Sequence, residues 1–430
     1  MKAKLDEQLA EGEELGALIQ AKLGGWWLMG DWIETTIGAQ AAIQRGFDIT
    51  KAQQRPGSVP VVSSGGVTSW HDEAMVEGPG VILGRKGVVG SVHRVKGSYW
   101  PHDTTLWVKD FHGNNRTFVY YFFRWLAPQL AAMDVGSANP TLNRNHVHPI
   151  KVRWPSLALQ ARISSLLESL DDKIELNRQT NETLEALARA IFKDWFVDFG
   201  PTRAKAEGRS PYLAPALWDL FPDRLDAEGK PEGWDVASLS DIADLNPESW
   251  TKRNAPEAVD YVDLSNTNWG TIEKTETHAW ESAPSRARRI LKPGDTIVGT
   301  VRPGNGSYAF IAQNGLTGST GFAVLRPKSP RDRELVWLAV TAPENIERLA
   351  FLADGAAYPA VRPDVVANTE IVLPEPRVIN AFSDSCGGLL DRIESHKAES
   401  RTLAQTRDLL LPKLMSGEVR LRDAEQALRY

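Results

Sequence analysis

The chain has 430 residues, a formal net charge of -6, 42% hydrophobic and 24% charged residues, and fifteen tryptophans. That length exceeds one ordinary core and suits two domains of roughly 150 residues with connecting structure. The negative balance excludes a binder whose affinity comes from a globally positive surface, and the single cysteine, Cys386, can form neither an internal disulfide nor a cysteine zinc site, which fits a reducing, cytoplasmic setting.

In chain order, residues 1–25 (with LDEQLAEGEELGALIQAKL) read as a helical extension, charged and without the apolar segment of a signal peptide. Residues 26–155 form a strand-rich domain. It opens with WIETTIGAQAAI from Trp32 and continues through GPGVILGRKGVVGSVHRVKGSYWPHDTTLWVKD, short runs of Val, Ile, Tyr and Trp punctuated by glycine. The apolar run Phe118–Met133 is broken by Arg124 and Pro128 and is shorter than the roughly 20 residues of a membrane span, so it predicts a buried helix. Over 156–200, Ile163, Leu167, Leu170, Ile174, Asn177, Asn181, Leu184, Ala188, Ile191 and Trp195 recur at steps of four and three, a coiled-coil seam. A helix of about 40 residues reaches roughly 60 Å and would act as a spacer. Gly200 and Pro201 should stop it, a polar linker follows over 201–230, a second strand-rich domain occupies 231–374, and a second helical spacer occupies 375–430.

The two halves are copies. PTLNRNHVHPIKVRWP (Pro140 to Pro155) and PAVRPDVVANTEIVLP (Pro359 to Pro374) are 219 residues apart, and the same step carries DKIE at Asp172 onto DRIE at Asp391. It also carries the first seam onto Phe382, Cys386, Leu389, Ile393, His396, Ser400, Leu403, Arg407, Leu410 and Leu414. Both seams are polar in the middle, Asn177 and Asn181 against His396 and Ser400, where polar residues fix register at some loss of stability. Two helices of like length with matched breaks can lie antiparallel; two amphipathic helices on separate cores is the other reading.

No Asp or Glu occurs between Glu77 and Asp103, between Asp134 and Glu168, or between Asp295 and Asp332. These stretches supply the candidate DNA-binding residues Arg85, Lys86, His93, Arg94, Arg144, Arg302, Asn305 and Ser307. Arg85 and Arg302 sit in the Gly-rich turns of the two halves. They have the donors to pair with guanine, and Asn305 with adenine, while the amides of Gly84, Gly87, Gly90, Gly304 and Gly306 could approach phosphates. Tight turns with solvated charges are the alternative for each residue. Arg286, Arg288, Arg289 and Lys292 precede the third stretch.

The duplicated order, PSLALQARISSLLESLDDKIELN after the first domain, the LGRKGVVGSV and YWPHDTTLWVKD strands and PEGWDVASLSDIADL opening the second half together resemble type I restriction-modification system specificity (S) subunits. The resemblance implies an α+β fold: two strand-rich α/β target-recognition domains separated by two long helices in an antiparallel coiled coil, a pseudo-twofold internal repeat. It implies that each domain reads one half of a split double-stranded DNA site, asymmetric because the readers differ. It implies that the helices dock two DNA methyltransferase (M) subunits, so that Ile163, Leu167, Leu170, Ile174, Asn177, Asn181, Leu184, Ile191, Trp195, Phe382, Leu389, Ile393, Leu403, Leu410 and Leu414 serve the seam and the docking. Two restriction (R) subunits can join such an assembly. This chain then binds no cofactor and catalyses nothing; S-adenosylmethionine belongs to the methyltransferase partner, ATP and magnesium to the restriction partner.

Two rivals fare worse. A DNA adenine methyltransferase needs an Asn/Asp-Pro-Pro-aromatic motif, but Asn139-Pro140-Thr141-Leu142 and Asn246-Pro247-Glu248-Ser249 lack the second proline and the aromatic, and no GxxxxGK[ST] loop occurs. A scaffold that binds only protein leaves the acid-free stretches unexplained. His93, His102, His146 and His148 lack the cysteine or carboxylate company of a metal or acid–base site.

Overall fold

Two helices carry the chain's longest regular segments, Leu157–Phe192 with 36 residues and Pro376–Ser416 with 41. The structure is a computed structural model that describes residues 32–133, 141–355 and 358–419; the extension expected over 1–25 lies outside them. No helix among the described residues is long and apolar enough to cross a membrane. The chain divides into two compact units, one holding the residues up to Leu176 with those from Glu399 onward, the other Asn177–Ala398. Each unit therefore owns one half of each long helix, whereas the sequence suggested spacers distinct from the domains. The physical reason is burial: each helix half puts its seam into the core of a strand-rich domain.

In the first unit β1 (Trp32–Thr36) pairs antiparallel with β9 (Lys151–Pro155), joining the two ends of the domain. Between them β2 (Ala42–Arg45), β8 (Thr105–Asp110), β5 (Gly80–Gly84) and β6 (Val92–Val95) form a sheet in that order. A second sheet has the order β4 (Gly66–His71), β3 (Val59–Ser63), β7 (Trp100–Pro101). The apolar run predicted as a buried helix is α1 (Arg116–Ala132). Asn115 caps it by accepting from the Phe118 amide at 2.9 Å, and Phe118, Phe122, Phe123, Leu126 and Leu130 are buried. Trp154 packs edge-on against Phe118 and Phe122. Ile163 and Leu167 of the first long helix share this core with Leu411, Leu414 and Met415 of the second. Asp171 accepts from Tyr121 at 2.6 Å and pairs with Arg407 at 2.5 Å, tying both helices to α1.

The second unit repeats this plan. β10 (Asp235–Ser238) pairs antiparallel with β21 (Glu370–Leu373), and β11 (Ala243–Leu245), β20 (Phe322–Pro327), β17 (Thr296–Gly299) and β18 (Tyr308–Phe310) give the same strand order as the first sheet. The other sheet, β15 (Glu276–Ala279), β12 (Ala258–Val262), β19 (Leu316–Ser319), β16 (Ala287–Ile290), gains one edge strand, β16, over its counterpart, and β13 (Thr267–Asn268) pairs with β14 (Thr271–Ile272). The core joins Ala188, Phe192, Trp195 and Phe196 to Phe382, Cys386, Leu390 and Ile393. The helices run antiparallel within it: Asn181 lies against Ile393 and His396, and the Phe192 ring lies tilted beside Phe382, 6.4 Å between centres. All twenty seam residues of the two helices, the fifteen assigned to seam and docking among them, are buried or half-buried.

Two expectations need correction. The first long helix does not end at Gly200: a π turn, Lys193–Val197, follows Phe192, then Phe199 turns left-handed at φ 54, and Gly200 and Pro201 begin a new helix, Gly200–Ala206. Proline is tolerated there because the first helical amides have no partner in the helix. The stretch expected as a polar linker packs instead, with Ala204, Trp218 and Phe221 buried and Trp195 edge-on to Phe221 at 5.0 Å.

Candidate nucleic-acid interface

The Gly-rich turns chosen from sequence are the β5–β6 loop, residues 84–91, and the β17–β18 loop, residues 299–307. They are closed by the same bonds. Gly84 N donates to Ser91 O and Gly299 N to Ser307 O, both at 2.7 Å; Arg85 N donates to Thr104 O and Thr300 N to Gly321 O, both at 2.8 Å. Leu142 N reaches Arg85 O and Val361 N reaches Thr300 O, both at 2.9 Å, beside the bridges Lys86↔Thr141 and Val301↔Ala360.

These bonds set the register between the loops. Arg85 corresponds to Thr300 and Lys86 to Val301, so Arg302 stands where the first loop has Gly87. The two arginines are not counterparts, although each lies in its turn. Gly87 has φ 78 and Arg302 φ 48. A side chain in this left-handed region is strained, and such outliers gather at functional loops. Arg302 N donates to Pro359 O at 2.7 Å, and its guanidinium lies 4.9 Å from the centre of the exposed Tyr358 ring. Arg302, Pro303, Gly304 and Asn305 line a cleft of about 410 Å³ with Ala350, Ala353 and Pro359.

The other candidates sort by what they touch. Lys86 is exposed, and the backbone pairing of its loop brings it beside the one-turn helix Arg144–Val147, on which Arg144 and His146 are exposed. Arg85 is half-buried, with Nη1 donating to Asp103 O at 3.3 Å. Arg94 turns inward to Glu168 at 2.6 Å, and His93 Nε2 lies 3.0 Å from Ser64 O. Ser307 Oγ donates to Leu264 O at 3.3 Å. The amides of Gly84, Gly90 and Gly306 are bonded within their own turns, so they are not the phosphate donors the sequence suggested. The histidines scatter. His148 Nε2 accepts from Ile43 N at 3.0 Å, and burial and Arg144 lower its pKa, while His102 sits beside Thr104 and Asp103. No group of three metal-ligating side chains forms among the described residues.

In the second unit Arg326 is held by Asp295 and Glu248, which raise its pKa further. Lys292 pairs with Glu248, Lys328 donates to Ser240 O and Asp241 O, and Arg331 pairs with Asp384. Arg326, Lys328 and Arg331 of the third acid-free stretch, and Lys292 just before it, are thus engaged within the protein. Arg286, just before β16, and Arg288 on it make no ion pair among the described residues, and the exposed Lys252 and Arg253, which the sequence reading missed, lie on a turn leading out of a segment paired to that strand.

Comparison with known proteins fits this duplicated, loop-bearing scaffold. The family described as type I restriction modification DNA specificity domain matches residues 29–186. The HindI specificity subunit of Haemophilus influenzae is 26% identical over 330 residues, 65% of this chain and 71% of that protein. The MjaIX specificity subunit of Methanocaldococcus jannaschii is 25% identical over 325 residues, 71% of this chain and 69% of that protein. The protein is thus similar to type I restriction-modification specificity subunits, in sequence over about two thirds of its length. A solved S subunit from M. genitalium shares the fold, with a TM-score of 0.58 over 91% of this chain and 98% of its own, at 14% identity. The family that matches residues 29–186 is described by DNA specificity, and both relatives are specificity subunits. The two loops are therefore candidates for direct readout, and the uncompensated cations for phosphate contact.

Proposed function

We propose that each unit of this specificity subunit reads one half of an asymmetric, double-stranded DNA site, and that the long helices fix the gap between the halves and dock two DNA methyltransferase subunits. The observation that carries this is the pair of loops: the same strand order and closing bonds occur twice, with different residues and one extra residue in the second loop. One scaffold with two different reading heads suits two different half-sites. Methyl transfer with S-adenosylmethionine then belongs to the docked methyltransferases, and ATP- and magnesium-dependent chemistry to restriction subunits that join them. This chain supplies address and geometry.

The test is reconstitution with the methyltransferase subunit, assaying DNA methylation with each component omitted and sequencing the modified bases. Two distinct half-sites with a fixed gap, modified only by the complete mixture, are expected. Methylation by this chain alone, or a perfect palindrome, refutes the proposal. Four residues inserted into both long helices add about 6 Å, close to two base pairs. The unread gap should change and neither half-site should; an unchanged gap removes the spacer role.

A further inference from the structure

We infer that the second unit carries a phosphate-binding strip, separate from its reading loop, made of Lys252, Arg253, Arg286 and Arg288 around Trp280. The inference rests on the DNA-recognition function and says which residues hold the backbone in the second half, where the sequence pointed only to the β17–β18 turn.

The strip lies along the edge strand that the first unit lacks, with Arg288 on the strand and Arg286 just before it. β16 pairs with β19 through Ala287↔Ser319 and Arg289↔Gly318, with a bulge at Arg288. Bulges re-aim side chains at sheet edges. Here Arg288 is laid over the Trp280 ring, 4.4 Å from its centre. The other edge of β16 is covered by the preceding segment: Trp250 N donates to Arg288 O at 2.7 Å, Ile290 N to Glu248 O at 3.2 Å, and Ser249 bridges Arg289. This segment runs into a turn closed by Thr251 and Asn254, the Thr251 amide donating to Asn254 Oδ1 at 2.6 Å, with Lys252 and Arg253 exposed on it. Arg289 points the other way, half-buried, with Nη1 on Ser249 Oγ and a pKa lowered by burial.

The decisive feature is charge without compensation. In a chain of net charge -6, four cations from two neighbouring segments make no ion pair among the described residues, although Glu248 and Asp295, close by in sequence, absorb Lys292 and Arg326. The acids beside the strip, Glu257 and Glu281, flank Trp280 without pairing to any of the four. An arginine stacked on an aromatic ring keeps its outward donors available and loses little freedom on binding. None of the four is on the cleft-lining loop, so they suit a repeating anion, the DNA backbone, rather than a base edge.

The experiment uses the complete methyltransferase complex carrying Arg286→Gln with Arg288→Gln, or Lys252→Gln with Arg253→Gln. DNA binding is measured against salt concentration on cognate and unrelated duplexes, alongside sequencing of methylated sites. Removing one cation that neutralises a phosphate should flatten the slope of log K against log salt by about 0.9, so each double variant should flatten it by up to about 2. Cognate and unrelated affinities should fall by the same factor, and the methylated motif should not change. An unchanged slope, a changed motif, or loss of methyltransferase from the purified complex overturns the assignment, the last because the strip then holds protein. Circular dichroism of the variants must match the parent, and Arg288→Lys should recover part of the slope. Failure of the unaltered complex to select its own site would instead refute DNA recognition itself.

Discussion

Two adjacent glycines in the second long helix give a prediction whose sign reverses from one residue to the next. Gly387 and Gly388 both lie inside Pro376–Ser416, where glycine costs about 1 kcal/mol relative to alanine. A methyl group at Gly388 would meet nothing within 4 Å, so Gly388→Ala should stabilise the helix by about that amount. A methyl group at Gly387 would sit 3.1 Å from Glu334 Oε1 and 3.3 Å from Arg333 Nη2. Glu334 is fully buried, is bonded to Arg333 Nε and has its Oε2 unpartnered, so it has no alternative bond to move into. Displacing it costs roughly 1–3 kcal/mol, which cancels or outweighs the helix gain. Amide hydrogen exchange in fragments spanning 384–392 reads the difference directly, avoiding a two-state assumption for a chain of two units. Exchange should slow about five-fold in Gly388→Ala and stay level or quicken in Gly387→Ala. Equal slowing in both would refute the steric clash at Gly387, and quickening in Gly388→Ala would refute the gain in helix propensity.

Three further outcomes follow from the geometry. Asn181 Oδ1 lies 2.8 Å from His396 Nδ1 in the buried middle of the helix pair, so Asn181→Leu alone should destabilise the second unit by about 1–3 kcal/mol by orphaning the histidine. The double change with His396→Leu should restore or exceed the parent's stability in denaturant melts, and additive losses would show that the two do not act together. Lys292 and Arg326 hold the Glu248 carboxyl below its ordinary 4.5, so its stabilising effect is complete above pH 4.5 and is lost as the pH falls below it; Glu248→Gln should flatten the acid-side loss of tryptophan signal, and an unaltered acid profile would mean the pair contributes nothing. Arg302→Gly relieves a left-handed side chain but gives up the stacking on Tyr358, so stability should stay within about 1 kcal/mol while methylation becomes indifferent to one base pair of the second half-site. Undiminished discrimination there would remove Arg302 from the readout.

The architecture was legible because its signals are periodic. Burial of a helix face repeats at steps of three and four, and a duplicated chain repeats everything at once, so Ile163 and Phe382, 219 residues apart in sequence, each enter the core of their own unit. Their polar breaks were legible too, and Asn177 Nδ2 lies 3.5 Å from the carbonyl of its own counterpart, His396. The helix end was not, because a proline that forbids continuation of one helix is equally suited to beginning the next, and only the left-handed Phe199 shows which occurred.

The two candidate reading loops were legible as places and not as contacts. Acid-free composition located both turns, yet it could not separate Arg94, consumed by Glu168, or Arg326, consumed by Asp295, from cations left outward, because those partners lie far off in sequence. Nor could it show that Arg85 and Arg302 occupy different positions in otherwise matched loops, since one inserted residue hides the register until the backbone bonds are known. That mismatch bears on specificity. If the loops presented equivalent arginines, the two heads would offer the same donor pair at the same place and tend toward similar half-sites. With Gly87 where the other has Arg302, the scaffold is duplicated while the presented chemistry is not, so the asymmetric target proposed above rests on the difference between the copies rather than on the copying.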